Sequence, residues 1–332
     1  MTYSSGGLIQ AVDYNGFASS TSGANVNDIW GTGSGDKGWG QTALGTVSAA
    51  GTVTATQWAD LVNRISSMGS QTGTTITARS APTAGQTISV LSAINTDLTN
   101  ITANRGFAPS VGTTSSTWTG SSAKTVATGA AAGGWIITFT HTVTFGSADQ
   151  ARYFWNAGGL IRLDMSKTST GSDKDPDWNT FVGQVGTIWL SGRVNSAAQT
   201  IAGTSFTGTT RTGGTGGTQN ALASNVGWYN LTAGAAATQM FQLYDATAPY
   251  TGDYISVTAA KNAGSTAVTF VTTWYDAGYS GAGKSNNISG GTNTASGGGF
   301  GTAPAVICRY NPPSTAYLSA SWGTPTVSAV DS

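Results

Sequence analysis

The sequence predicts a mainly β protein: an antiparallel β-sandwich, jelly-roll-like or Ig-like, preceded by a short helical and extended N-terminal region. Three observations predict it. Residues 135–145 show period-two alternation, with Thr138, Thr140, Thr142 and Thr144 on one face. Many short β-branched or aromatic runs follow, separated by Gly, Asn, Asp and Ser. Apolar residues at helical spacing occur only before residue 107. Alternation with period two is the signature of a half-buried strand, and many short strands with such turns suit a sandwich or an open barrel.

Residues 1–50 are rich in Gly and Ser, with scattered Tyr14, Phe17, Trp30 and Trp39. The piece from Trp30 to Gly40 has glycine at nearly every second position, so it reads as a turn-rich loop anchored by its two Trp side chains. A first helix is expected from Thr54, where Gln57 completes a capping box, with Trp58, Leu61, Val62, Ile65 and Met68 on one face and Gly69 as its stop. A second is expected over about 89–105, with Leu91, Ile94, Leu98 and Ile101 as its stripe and Gly106 as its cap. Each stripe needs a partner, either the other helix or another subunit. Asp60-Leu61 and Asp97-Leu98 hold matching places in the two helices.

In the run 135–145, Trp135, Ile137, Phe139, His141, Val143 and Phe145 share one face. Further strands are expected over 160–165, 187–190, 227–231, 240–244, 254–259, 267–275 and 305–310, and surface loops over 200–220 and 278–299. The chain divides accordingly into a docking region, 1–106, and a β-sandwich domain, 107–332.

Composition narrows the function. Charged residues are 8% of the 332-residue chain, against roughly 25% in an ordinary soluble domain. There is no glutamate, one histidine and one cysteine, and the net charge is zero. Acid–base catalysis, metal capture and nucleotide binding all draw on the scarce types, so no cofactor and no catalytic residue are expected. No Lys/Arg cluster is present to neutralise phosphates, which argues against nucleic acid. No apolar run reaches the ~18 residues of a membrane helix. Met1–Ser5 carries neither a cationic nor an apolar leader, so a cytosolic start is expected. A weakly charged, neutral surface tends to associate, which suits an assembly subunit.

Individual motifs read as structure. Cys308 lies in an apolar run and is expected to be a buried thiol. His141 reads as a core or interface histidine. The cluster Asp173, Asp175, Asp177 opens like a calcium loop, but Trp178 and Gln184 stand where such a loop needs Gly and Glu; a solvated turn is expected, with a metal site as the weak alternative. No acid is assigned to a strand-end motif. Trp228, Trp274 and Tyr279 are candidate glycan contacts.

The segment Ser147-Ala148-Asp149-Gln150-Ala151-Arg152-Tyr153-Phe154-Trp155-Asn156-Ala157-Gly158-Gly159-Leu160-Ile161-Arg162 resembles a block of tailed-bacteriophage virion structural proteins, an A-R-Y-F-F-N-A-G-G-x-I-R stretch after a Thr-rich strand. Asp175-Pro176-Asp177-Trp178-Asn179-Thr180, the Gly-rich piece from Gly31 to Gln41, and Val53–Trp58 are similar to other parts of that pattern. Trp155 replaces its second Phe.

The resemblance implies a virion component, made in the host cytoplasm, with Arg152, Phe154, Asn156, Gly158, Gly159 and Arg162 as a structural block. An Asn-Ala-Gly-Gly turn between two strands is expected to bring Arg152 and Arg162 together, facing Asp149, Asp164 or Asp177. The expected function is a non-enzymatic, tail-associated part (fibre, collar, neck or baseplate) in a homo-oligomer with other virion proteins as partners. Trp58, Leu61, Ile65, Leu91, Ile94 and Leu98 would dock it. A module binding a receptor or host surface glycan, or a capsid decoration protein, is the alternative.

Overall fold

The computed structural model describes residues 10–20, 23–83, 91–105, 118–119, 125–126, 134–167, 174–192, 198–201, 204–207, 218–219, 226–278 and 304–331. The chain forms two compact units. The first comprises 1–112, 147–159 and 312–323; the second comprises 113–146, 160–311 and 324–332. The division expected at 106/107 therefore assigned two later segments to the wrong part.

The first unit is helical. It contains α1 (Ala11–Ala18), α2 (Val26–Ile29), α3 (Ala55–Thr72), α4 (Leu91–Asn104) and α5 (Ala148–Asn156). Thr54 caps α3 as expected: its Oγ1 accepts from the Gln57 N–H at 3.2 Å, and Gln57 Oε1 accepts from the Thr54 N–H at 2.9 Å. The helix passes Gly69 and ends at Gly73, whose φ of +64° suits a left-handed cap. Helix α4 is described over Leu91–Asn104; residues 89, 90 and Gly106 lie outside the described residues. Trp30–Gly40 is turns and irregular chain, as expected, while α1 and α2 before it are helices where no element was expected. In α1, Tyr14 and Phe17 pack on Trp58 with ring centroids 6.4 and 6.3 Å away.

The second unit holds antiparallel sheets and one helix, α6 (Lys174–Val185). A four-stranded sheet runs in the order β1 (Trp118–Thr119), β12 (Ala305–Asn311), β4 (Leu160–Ser166), β5 (Ile188–Leu190). A seven-stranded sheet runs β13 (Thr326–Asp331), β3 (Trp135–Thr144), β11 (Ala267–Tyr275), β10 (Tyr254–Lys261), β9 (Thr238–Tyr244), β8 (Thr218–Gln219), with β2 (Thr125–Val126) beside β3. A hairpin of β6 (Ala198–Ile201) and β7 (Thr204–Thr207) stands where a surface loop was expected. Neither larger sheet closes into a barrel among the described residues. The architecture is thus mixed, with substantial strand content and six helices among the described residues, and not the mainly β fold expected.

Strand β3 follows its sequence pattern. Trp135, Ile137, Phe139, His141 and Val143 are buried in alternation with half-buried Ile136, Thr138, Thr140 and Thr142. The strand expected over 227–231 is a 3-10 turn, Trp228–Asn230, closed by the Gly227 N–H donating to Asn230 Oδ1 at 2.9 Å.

Candidate functional site

The block Ser147–Gly159 is a helix and turn, not a strand. Ser147 caps α5 by accepting from the Gln150 N–H at 3.1 Å, and Asp149 sits in the first turn, where a carboxylate suits the helix dipole. Ala151, Phe154 and Trp155 then fall at i, i+3 and i+4 and are fully buried. The aromatic run Tyr153–Trp155 favours a strand by propensity alone; the cap and the stripe decide otherwise.

This helix clasps the glycine-rich loop of the first unit. The Asn156 side-chain amide donates to the carbonyls of Asp36 (2.8 Å) and Gly38 (3.0 Å), and Trp39 Nε1–H donates back to the Asn156 carbonyl at 2.9 Å. Arg152 donates to the Gly35 carbonyl at 3.0 Å and pairs with Asp149 at 2.8 Å. Gln71 of α3 reaches the Ala157 carbonyl at 3.1 Å. Gly40 has φ +68°, and a Cβ there would stand 2.5 Å from the Tyr153 ring. Gly158 turns the chain at φ +99°, and a Cβ on Gly159 would meet the Phe154 ring at 2.5 Å. Two separate pieces that carry the family resemblance, 31–41 and 147–159, therefore pack on each other.

Arg162 belongs to the second unit, on β4, while Arg152 belongs to the first. The expected turn between two strands does not form. Arg162 instead pairs with Asp164 at 2.9 Å, an aspartate that Arg309 also approaches at 3.2 Å.

The docking residues are not available for docking. Trp58, Leu61, Ile65, Ile94 and Leu98 are all 0–2% exposed, because α1, α3 and α4 bury their stripes within the unit. The side chain of Leu91 lies outside the described residues. The proposed glycan contacts fail for the same reason: Trp228 and Trp274 are buried, one against Phe145 and Lys261, the other stacked on Trp178 at 5.7 Å. Tyr279 lies outside the described residues.

The acidic cluster is the first turn of α6, neither a calcium loop nor a solvated turn. Asp175 and Asp177 complement the dipole there, and Trp178, Phe181, Val182 and Val185 make the buried stripe. Asp175 forms a fully buried ion pair with Lys167. Asp173 lies outside the described residues. No group of three or more His, Cys or Asp side chains among the described residues has the geometry to hold a metal.

Asp177 joins a feature missed in the sequence. Tyr244, Tyr254 and Tyr275 lie in register across β9, β10 and β11, with Tyr254 and Tyr275 stacked at 4.6 Å. The neighbours Asp245, Asp253 and Asp276 all belong to the opposite face, where they are at most 3% exposed. Each accepts a backbone N–H: Thr247 to Asp245 (2.8 Å), Ala277 to Asp253 (2.9 Å) and Gly278 to Asp276 (2.7 Å).

Asp177 meets this row and hydrogen-bonds to Asp245; burial, then that bond and the charges of Asp245 and Asp253, push its carboxyl up to about 7, against an opposing bond to Thr247. The bonded pair holds a proton. The signal was legible as Tyr244-Asp245, Asp253-Tyr254 and Tyr275-Asp276, one dyad at the same end of each of three consecutive strands.

His141 and Cys308 are buried as expected. Burial holds the imidazole down at about 4, partly offset by a hydrogen bond with the Val306 backbone. Burial, and then the Asp164 charge, push the Cys308 thiol up, so it is no nucleophile at neutral pH.

No protein-family model, curated protein or solved structure matches the chain.

Proposed function

We propose that this chain is a non-enzymatic structural component of a tailed-phage virion, tail-associated and self-associating, with a β-sandwich as its body. The observation that carries this reading is where the ionic and reactive side chains go. Lys37, Arg79, Arg105, Arg152, Arg162, Lys167 and Arg309 each pair with an aspartate of the chain itself. The histidine and the cysteine are fully buried. Among the described residues, what remains outside is largely uncharged hydroxyl, amide and glycine surface, which would give little repulsion between copies. The block that resembles virion proteins supports the reading in kind, since its polar groups bind the chain to itself. The closeness of His141 on β3 to the Val306 backbone on β12 supports a face-to-face sandwich.

Cryo-electron microscopy of intact virions tests the proposal. Ordered copies at the neck, tail or baseplate are expected. Absence from the particle overturns it, and a capsid-surface position would transfer the chain to the decoration class. Sedimentation of the purified protein should show an oligomer; a monomer at high concentration would remove self-association.

A further inference from the structure

We propose that the cleft around Arg64 binds a carboxylated sugar, such as a uronic acid unit of a surface polysaccharide. The inference goes beyond the virion reading and does not depend on it. The cleft lies wholly within the first unit, between α2, α3 and residues 315–319. Its volume is 470 Å³, in the range of about 300–1,000 Å³ typical of small-ligand sites.

Arg64 is the exception to the pairing of charges. Among the described side chains it is the cation with neither an ion pair nor a hydrogen bond; even Lys261 donates to the Trp228 carbonyl at 3.2 Å. Asp60, one turn earlier on α3, is exposed and does not pair with it. The guanidinium stands 4.7 Å over the Trp30 ring, which restrains its plane, and its Nε–H is buried without an acceptor. Trp30, 4% exposed, forms the floor under the guanidinium, its Nε1–H buried with no acceptor among the described residues. A planar carboxylate matches the guanidinium fork.

The rest of the lining suits a sugar. Gln41 is fixed by bonds to both sides of Ser319, donating to its carbonyl and accepting from its N–H, each at 2.8 Å. A wall held this way loses little entropy on binding. Thr42, Ser67 and Thr315 present hydroxyls. Tyr317, 49% exposed, offers a ring face to the C–H face of a pyranose. An acidic peptide would find no apolar pocket here, since Leu318 is itself buried.

The test is calorimetric titration of the full chain with trigalacturonate, with a neutral trisaccharide, inorganic phosphate and an Asp-rich peptide as comparisons. Trigalacturonate should bind at least tenfold more tightly than the neutral sugar. Arg64→Gln should remove about tenfold or more of that affinity, and Arg64→Lys somewhat less, because the fork is lost while the charge stays. Tyr317→Ala changes an exposed residue, so it should leave the fold intact and still weaken binding severalfold. The proposal is overturned if trigalacturonate does not bind, if it binds no better than the neutral sugar, phosphate or the peptide, or if folded Arg64→Gln or Tyr317→Ala protein binds it unchanged.

Discussion

The two units bury carboxyl groups by different means. In the first, Asp97 on α4 is locked to Arg79, both at most 6% exposed, and it accepts the Thr77 N–H at 3.1 Å. In the second, Asp177 on α6 faces Asp245 and Asp253, and a proton takes the place of the cation. A guanidinium keeps its charge at any ordinary pH, whereas a shared proton leaves near neutrality. The same residue type therefore makes a permanent clamp in one unit and a titratable one in the other.

Removing the permanent clamp should cost the most. Asp97→Ala leaves Arg79 buried and unpaired, and unfolding in urea should show a loss of about 3–5 kcal/mol. Gly40→Ala attacks the same unit without touching charge. Its positive φ and the overlap with Tyr153 predict a loss of about 3 kcal/mol by the same measurement.

The titratable side of the comparison is sharper, because His141 opposes Asp177. The imidazole titrates near 4 in the fold and 6.5 in the open chain, so the unfolded state binds the extra proton and stability falls as pH drops through that window. The Asp177 carboxyl titrates near 7 in the fold and 3.8 in the open chain. There the folded state binds the extra proton, and stability falls as pH rises through 4 to 7. The two slopes oppose each other between about 4 and 6.5. Asp177→Asn should unmask the acid loss, about 2–3 kcal/mol across the window, in melting curves taken at stepped pH. It should also raise stability at pH 8 by about 2 kcal/mol after allowance for solvent screening. A variant whose melting profile follows the parent at every pH would mean that Asp177 holds no proton in the fold. The smallest effect should come from Thr54→Ala, which removes the α3 cap and costs about 1 kcal/mol.

Periodicity made the strands legible. β3 and β11 were predicted to within a residue, since threonine marks every second position from Thr138 and Ala267–Tyr275 is rich in β-branched and aromatic residues. The cap at Thr54 made α3 legible in the same local way. Helices α1, α2, α5 and α6 were not read, because glycine, aromatic or aspartate-rich neighbours masked short stripes that only tertiary burial reveals. The site was less legible than the fold. Asn156 meets Gly38 across 118 positions of sequence, and Trp30, Arg64 and Tyr317 converge from three distant stretches. The aspartate row needed only the strand register, and the three Tyr/Asp dyads carried it in plain view.

The chain passes between its two units five times. As a genetic object, then, the helical unit is not a cassette. A recombination event or a truncation at residue 112 would carry away α5 and residues 312–323, and with them the acceptor for Trp39 and the Ser319 partner of Gln41. Gene exchange can move this protein whole, but it cannot shuffle its halves as it would beads on a string.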